Sequence, residues 1–485
     1  MPAPDHVLAI DQGTSGTKAV LVDSSGAIVA RAGAPVALGT PRPGWVEQDA
    51  REIWASVRAA VAACLEGRDA ARVAAAGLST QRESLVLWDR ATGEPLGPML
   101  SWQDQRTVDD AARLRDHGEQ VLAVSGLPLD PMFSALKARW LLDHHGRRNV
   151  CLGTVDSFLL WRLGGGHVIE AGNAARTQLL DVREGAWSPA LLELFGVPEA
   201  VLPEVVPSTG PFPAVRDLPP LRDGTPVCAV MGDSHAALFA HAGWRPGQVK
   251  ATYGTGSSIM SLGDPAAWTP GGLCLTIAWD DGGGPAHAFE GNIRSSGATL
   301  TWLAGLFGTT PAALAGEAAA SSDGVHLVPA FGGLGAPWWD DRAVGLISGL
   351  TFATRRPHVA RAALESIAFQ VEDTVAAIEA LTGPVQTLLA DGGPTANRTL
   401  MQLQADTGGR VVARSLAAEL SALGAAHLAG RAAGVWSPDD LEALDRPRER
   451  YDPAEPRDSR HARVAAWHAA LARARLQEET AHAAL

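Results

Sequence analysis

Two hairpins rich in glycine and threonine, half a chain length apart, constrain this sequence more than any other feature. In the first, the apolar run Val7-Leu8-Ala9-Ile10 enters Asp11-Gln12-Gly13-Thr14-Ser15-Gly16-Thr17-Lys18 and leaves through Ala19-Val20-Leu21-Val22. In the second, residues 249–253 enter Gly254-Thr255-Gly256-Ser257-Ser258 and leave through residues 259–262. Short apolar runs bounded by turn residues read as strands. Ser24-Ser25-Gly26 then turns the chain into Ala27-Ile28-Val29-Ala30, so the chain opens as a β-meander and not as a βαβ unit. Recurrence at this spacing predicts a duplicated α/β fold of two related domains facing one another, 1–245 and 246–485, divided near Trp244-Arg245-Pro246-Gly247. A chain of 485 residues also exceeds what one hydrophobic core organises. The proline-rich stretch from Pro203 to Pro220 reads as a surface connection within the first domain, and the Ala/Arg-rich tail from about His461 as a solvated surface helix.

Each hairpin loop suits phosphate. Small residues let an anion approach the backbone, successive N–H groups form a nest, and hydroxyls add hydrogen bonds. The competing reading is an ordinary hairpin turn; two such loops in register favour phosphate. Neither loop is a G-x-x-x-x-G-K-[ST] P-loop, and no G-x-G-x-x-G fingerprint follows a strand. Asp11, at the end of the first strand, either holds Mg²⁺ through water, since Mg²⁺ takes few carboxylates and keeps its hydration shell, or caps the hairpin as an Asx turn. Only three lysines occur, Lys18, Lys137 and Lys250, and two of them lie beside these loops. A net charge of −13 opposes nucleic-acid binding. No apolar run is long enough to span a bilayer, and no basic n-region precedes the first strand. The four dispersed cysteines, Cys64, Cys151, Cys228 and Cys274, fit a reduced cytoplasmic protein without a thiolate metal site.

The apolar run Val227-Cys228-Ala229-Val230-Met231 leads into Gly232-Asp233-Ser234-His235 and a helix-like segment. Two chemistries compete here. Gly-Asp-Ser-His-Ala approaches the G-x-S-x-G nucleophile elbow, which would make Ser234 a hydrolase nucleophile. Alternatively Asp233 is a general base that takes a proton from a substrate hydroxyl while Ser234 lines the pocket. No HGGG-type oxyanion run is present, and a hydrolase would leave the two loops unexplained, so Asp233 is favoured.

The sequence resembles the FGGY carbohydrate kinases, and within them the glycerol kinases. The resemblance is carried by Ile10-Asp11-Gln12-Gly13-Thr14-Ser15, Thr80-Gln81-Arg82-Glu83-Ser84, Ser101-Trp102-Gln103-Asp104, Gly126-Leu127-Pro128-Leu129-Asp130-Pro131 and Gly232-Asp233. It continues through Thr252-Tyr253-Gly254-Thr255-Gly256, Phe331-Gly332-Gly333-Leu334-Gly335-Ala336-Pro337-Trp338-Trp339-Asp340, Asp391-Gly392-Gly393-Pro394 and Leu423-Gly424-Ala425-Ala426. It implies an actin-like ATPase fold of two RNase H-like domains around a central nucleotide cleft, ATP-dependent phosphorylation of a terminal hydroxyl on a small polyol or sugar, and ATP with Mg²⁺. Asp233 matches the base and Asp11 the metal-associated carboxylate. Arg82, Glu83 and Trp102 match acceptor contacts, with Met132 and Ser234 at two further acceptor positions. Thr14, Ser15, Thr17, Lys18 and Thr255 match the phosphate loops; Gly297, Thr301, Gly393 and Asn397 match the rest of the nucleotide site. A homodimer is the assembly carried over. Met132 stands in place of a tyrosine, Ser234 of a glutamine, Ser258 of an aromatic residue and Lys18 of an arginine. Either the four changes are drift and the acceptor is that of a glycerol kinase, or the first three, which shrink or depolarise the acceptor pocket, turn it to a four- or five-carbon polyol or ketose; a non-catalytic sugar-sensing relative would lack Asp11 or Asp233, and both are present.

Overall fold

The computed structural model describes residues 4–146 and 148–475. The first half builds a five-stranded sheet from β1 (His6–Gly13), β2 (Gly16–Asp23), β3 (Ile28–Pro35), β4 (Val73–Thr80) and β5 (Val227–Gly232), in the order β5-β4-β1-β2-β3. The meander β1-β2-β3 is antiparallel, whereas β4 runs parallel to both β1 and β5. The second half repeats this kernel with β6 (Gln248–Tyr253), β7 (Ser257–Leu262), β8 (Cys274–Asp280), β9 (Pro285–Ile293), β10 (Thr387–Asp391), β11 (Val411–Ser415) and β12 (Arg448–Tyr451), ordered β8-β9-β7-β6-β10-β11-β12. As β1 is antiparallel to β2 and parallel to β4, so β6 is antiparallel to β7 and parallel to β10.

Both faces of the first sheet are covered, which is why its strands read as continuous apolar runs and not as alternating ones. Leu8, Ile10, Ala19 and Leu21 pack towards α1 (Ala50–Cys64). Val7, Ala9, Val20 and Val22 pack on the opposite face. Between β5 and the rest of the first sheet the chain inserts a smaller four-stranded sheet carrying α2 (Ser134–His145). The remaining helices used below are α3 (Asp233–Ala240), α4 (Gly297–Leu306), α5 (Arg356–Thr382), α6 (Arg398–Gly408), α7 (Leu420–Ala432) and α8 (Arg457–Arg475). None of the described helices is long and apolar enough to cross a membrane.

The strands divide between Ala240 and Gln248, but one helix does not respect that division. α7, from the second half, packs against α3 and strands β1, β4 and β5 of the first. Small residues make this approach possible: a Cβ on Gly424 would lie 1.8 Å from the Ala236 carbonyl oxygen, and one on Gly77 would lie 2.5 Å from that of Ala425. The Leu423-Gly424-Ala425-Ala426 run is therefore an inter-lobe packing surface.

Three expectations need correction. Strands β1 and β2 run on to Gly13 and back from Gly16, because the ladder pairs Gln12 with Thr17 whatever their polarity, so the loop itself is only Thr14-Ser15. The tail helix is not merely solvated: in α8, Trp467 is buried, stacks on Phe369 and donates its indole N–H to Asp373 at 2.9 Å. Alanines dilute the apolar stripe that would have announced this face. Residues 476–485 of that tail lie outside the described residues. The proline-rich connection also has a buried side, where Ser208 donates to Glu170 and accepts from the Asp280 N–H of the second half.

Candidate active site

Strand β5 ends at Gly232 and α3 begins at Asp233, so the carboxylate sits at a helix N-terminus. Exposed N–H groups there favour a negative charge. Asp233 Oδ1 accepts from the Ser234 N–H at 2.6 Å and lies 3.4 Å from Arg82 Nε. Its side chain is 39% exposed although the backbone around it is buried. Burial raises its pKa; Arg82 opposes the rise and Glu83 adds to it.

Arg82 is clamped from behind. Its Nη1 and Nη2 donate to Glu290 Oε2 and Oε1 at 3.0 and 2.8 Å, a bidentate fork that fixes its plane. Glu290, wholly buried on β9, also lies 2.7 Å from Arg176 Nη1. Arg176 Nε in turn donates to Glu83 Oε1 at 2.7 Å. Burial works against the Glu290 charge, but the Arg176 and Arg82 guanidiniums outweigh it and hold the carboxyl well below the usual range. Arg82, Glu83, Arg176 and Glu290 thus form one buried network joining the lobes. Glu83 holds a left-handed backbone at φ 64°, a strained conformation for a residue with a Cβ.

The other expected acceptor residues gather around this network. The Trp102 indole N–H donates to Thr14 Oγ1 at 2.9 Å, linking the residue expected to face the acceptor to the first hairpin loop. Met132 is half-buried against the Leu127, Phe133 and Cys274 cluster, and its N–H is held by Asp130 Oδ1 at 2.8 Å. Ser258 carries no wall of its own: its hydroxyl donates to Glu290 Oε1 at 3.0 Å. Arg82 Nη1 and Nη2 each give one N–H to Glu290 and keep a second, while Nε lies on the Asp233 side.

On the nucleotide side, Asp11 Oδ1 accepts from Ser79 Oγ at 2.8 Å. Burial pushes the Asp11 carboxyl up to about 7, against the Ser79 bond and with the nearby Asp233 charge adding to the rise. No group of three or more His, Cys, Asp or Glu side chains that could hold a metal occurs among the described residues. A lone carboxylate beside a phosphate loop suits Mg²⁺, which is held mainly by water and substrate oxygens. Lys18, paired with Asp11 across the hairpin, reaches Glu419 at 2.7 Å.

In the second loop, Thr255 O accepts from the Ser296 and Ala298 N–H groups, and Gly254 O from that of Gly297, at 2.9 to 3.0 Å. The loop therefore lies against the start of α4. A Cβ on Gly297 would meet Gly254 O at 2.5 Å, so only glycine permits this contact, whereas Gly393 faces open space. Thr301 donates to Gly297 O at 3.2 Å, and Asn397 caps α6 by accepting from the Leu400 N–H at 3.1 Å. That capping duty was not visible in the motif.

Thr17 is a correction. On β2 its hydroxyl points to α1 and pairs with Ser56 Oγ at 2.6 Å, wholly buried and on the sheet face opposite Asp11. Thr17→Val should lower stability by about 0.5–1.5 kcal/mol in urea denaturation, while the Michaelis constant for ATP stays within about twofold of its original value.

The hydrolase geometry is not assembled. His235 is buried with Nε2 3.4 Å from Arg82 Nη1, so the imidazole beside Ser234 is engaged with the guanidinium. Sequence reasoning missed Arg176 and Glu290. The available signal was a lone charge inside apolar or small-residue runs, His287-Ala288-Phe289-Glu290-Gly291 and Asn173-Ala174-Ala175-Arg176, since a buried charge needs a partner.

Comparison with known proteins places these elements. Residues 6–240 match the N-terminal domain, and residues 249–433 the C-terminal domain, of the FGGY family of carbohydrate kinases. The chain is 42% identical to a glycerol kinase of Aromatoleum aromaticum over 97% of this chain and 99% of that protein. It is 41% identical to an apulose kinase of Pectobacterium atrosepticum over 98% and 99%. Its fold superposes on the crystal structure of Plasmodium falciparum glycerol kinase with ADP at a TM-score of 0.91 and 28% identity, covering 98% of this chain and 99% of the other.

Proposed function

The chain belongs to the FGGY family of carbohydrate kinases, which phosphorylate a polyol or sugar with ATP, and we propose that Asp233 is its general base and a four- or five-carbon polyol or ketose its acceptor. The placement of Asp233 carries the first half of this reading. It stands at a helix N-terminus, with its side chain partly exposed, between the acceptor residues and Asp11. Charge on the base is kept by Arg82 Nε at 3.4 Å, yet burial keeps the carboxylate basic enough to take a proton.

ATP supplies the phosphoryl group, and Mg²⁺ would neutralise the charge on its oxygens. Asp11 would hold that ion through water. Thr14 Oγ1 already accepts from the Trp102 indole, so its own proton is left to donate to a phosphate oxygen. Ser15, Lys18 and Thr255 would add donors from the two loops, and the open backbone at Gly393 would take the nucleoside, with Thr301 and Asn397 nearby. Glu83, with Oε1 held by Arg176, offers Oε2 to an acceptor hydroxyl, and Trp102 offers its face to the carbon chain. Asp233 then receives the hydroxyl proton as the oxygen attacks. Transfer proceeds through a loose transition state, so positioning and charge outweigh basicity. A cytoplasmic homodimer is the form expected of such an enzyme.

Acceptor size rests on Ser258. Its hydroxyl is turned to Glu290 where the glycerol kinases carry an aromatic residue, while Met132 and Ser234 stand in place of a phenol and an amide. Lost hydrogen bonds discriminate strongly, and apolar contacts recover only about 1–3 kcal/mol per methylene. The expected outcome of ADP-release assays is a kcat/KM for erythritol or a ketopentose at least equal to that for glycerol. The combined Met132→Tyr, Ser234→Gln and Ser258→Phe variant should move the preference towards glycerol. A wide preference for glycerol over every larger acceptor in the unaltered enzyme would overturn the size assignment and leave a glycerol kinase.

A further inference from the structure

Lys137 is one of only three lysines in the chain, and phosphoryl transfer has no direct use for it. It lies on α2, wholly buried, and its ammonium donates to the Met132 carbonyl at 2.7 Å and the Trp102 carbonyl at 3.2 Å. One turn earlier on the same helix, Ser134 Oγ donates to the Glu83 carbonyl at 2.8 Å. Two segments distant in sequence, at Glu83 and Trp102, and the Met132 segment that leads into the helix, each carrying a proposed acceptor residue, are thus tied by their main chains to a single turn of α2.

An ammonium in that position is expensive. Burial lowers its pKa to about 7, against the fields of Asp104, Glu83 and Asp130 and with that of Arg106. Leu136 and Ala138 on either side are buried apolar residues, so an apolar side chain would fill the site without the desolvation cost of an amine. What the apolar residue would lack is two donors converging on two carbonyls. Even a neutral amine keeps two N–H groups, enough for both bonds.

We propose that Lys137, with Ser134, is a positioning residue that fixes the separation of the Trp102 and Met132 walls and the place of Glu83, and so sets how the enzyme discriminates among acceptors. The inference rests on the acceptor assignment above. It differs from a purely structural role in what it affects: the acceptor and the ratio between acceptors, with the nucleotide untouched.

The test uses the full-length enzyme and steady-state kinetics with ATP, glycerol, erythritol and a ketopentose. Lys137→Met should raise the acceptor Michaelis constant by about tenfold or more, since small misplacements of a positioning group carry large kinetic effects. The constant for ATP should stay within about twofold, and the kcat/KM ratios between acceptors should move towards one. Parallel rises for ATP and acceptor, or a fall in kcat at unchanged acceptor constant and ratio, overturn the proposal. Should Lys137→Met not fold, Ser134→Ala decides: a rise of about threefold in the acceptor constant alone supports the proposal, and no change overturns it. Trp102→Ala separates the two levels. If it leaves the acceptor constant unchanged, the acceptor assignment itself fails; if it raises the constant while the α2 variants do not, only the role given to Lys137 and Ser134 fails.

Discussion

Asp233→Asn should lower turnover by at least about a hundredfold while leaving ATP affinity nearly unchanged, because general-base catalysis contributes roughly 10²–10⁴. The amide is nearly isosteric and can keep the Ser234 N–H contact, so the loss would be chemical. Ser234→Ala should stay active, and the reverse pattern would revive the nucleophile reading of that serine. The pH profile supplies an independent check. Burial raises the Asp233 pKa above its ordinary value, and the base works only when ionised, so the rate should fall on the acid side at a higher pH than an unperturbed carboxylate would give. In the residual activity of the asparagine variant the Asp233 share of that limb should be lost, leaving the limb of Asp11, whose carboxyl burial pushes up to about 7.

The second large effect is on the fold. Glu290→Gln should cost about 3–5 kcal/mol of stability, measured by urea unfolding, because removing one member of a buried ionic cluster leaves the others uncompensated. Here the residue removed is the carboxylate between Arg82 and Arg176, whose nitrogens lie 2.7 to 3.0 Å from it. Its folded pKa is depressed, so its contribution is fully present above the unfolded pKa and is lost as pH falls towards the folded one. The variant should therefore unfold at a midpoint that depends less on pH in the acid range. Turnover should fall too, since Arg82 would no longer be pinned beside Asp233. An unchanged midpoint would mean that the network is dispensable.

How far the sequence disclosed this molecule depended on the kind of interaction. The two hairpins were legible because apolar runs broken by glycine and threonine have few other local solutions, and their recurrence fixed the duplication. Their true ends were not legible, since the β1-β2 ladder continues through Gln12 and Thr17 on hydrogen bonds that no hydropathy pattern records. The same continuation carried Thr17 to the α1 face, while Asp11 and Lys18 stayed on the opposite face. Trp102 meets Thr14, and Asp11 lies within the field of Asp233, as motifs that bring a carboxylate or hydroxyl to a strand end would predict. The partners of Arg82 were not legible. Glu290 lies more than two hundred residues away on a strand of the other lobe, a distance that local pattern cannot cross. Which sheet α7 covers was likewise hidden, although the Gly424-Ala425-Ala426 run recorded the close contact in its small side chains.

The most direct test of the central claim is the product. Purified enzyme incubated with ATP, Mg²⁺ and erythritol or a ketopentose, followed by phosphorus NMR, should yield one ADP for each phosphomonoester, with the new phosphate on a terminal carbon. Asp233→Asn should form that product at least about a hundredfold more slowly, whereas Ser234→Ala should form it at close to the original rate. ADP formed without any sugar or polyol phosphate, or a phosphomonoester formed equally well without Asp233, would contradict the account.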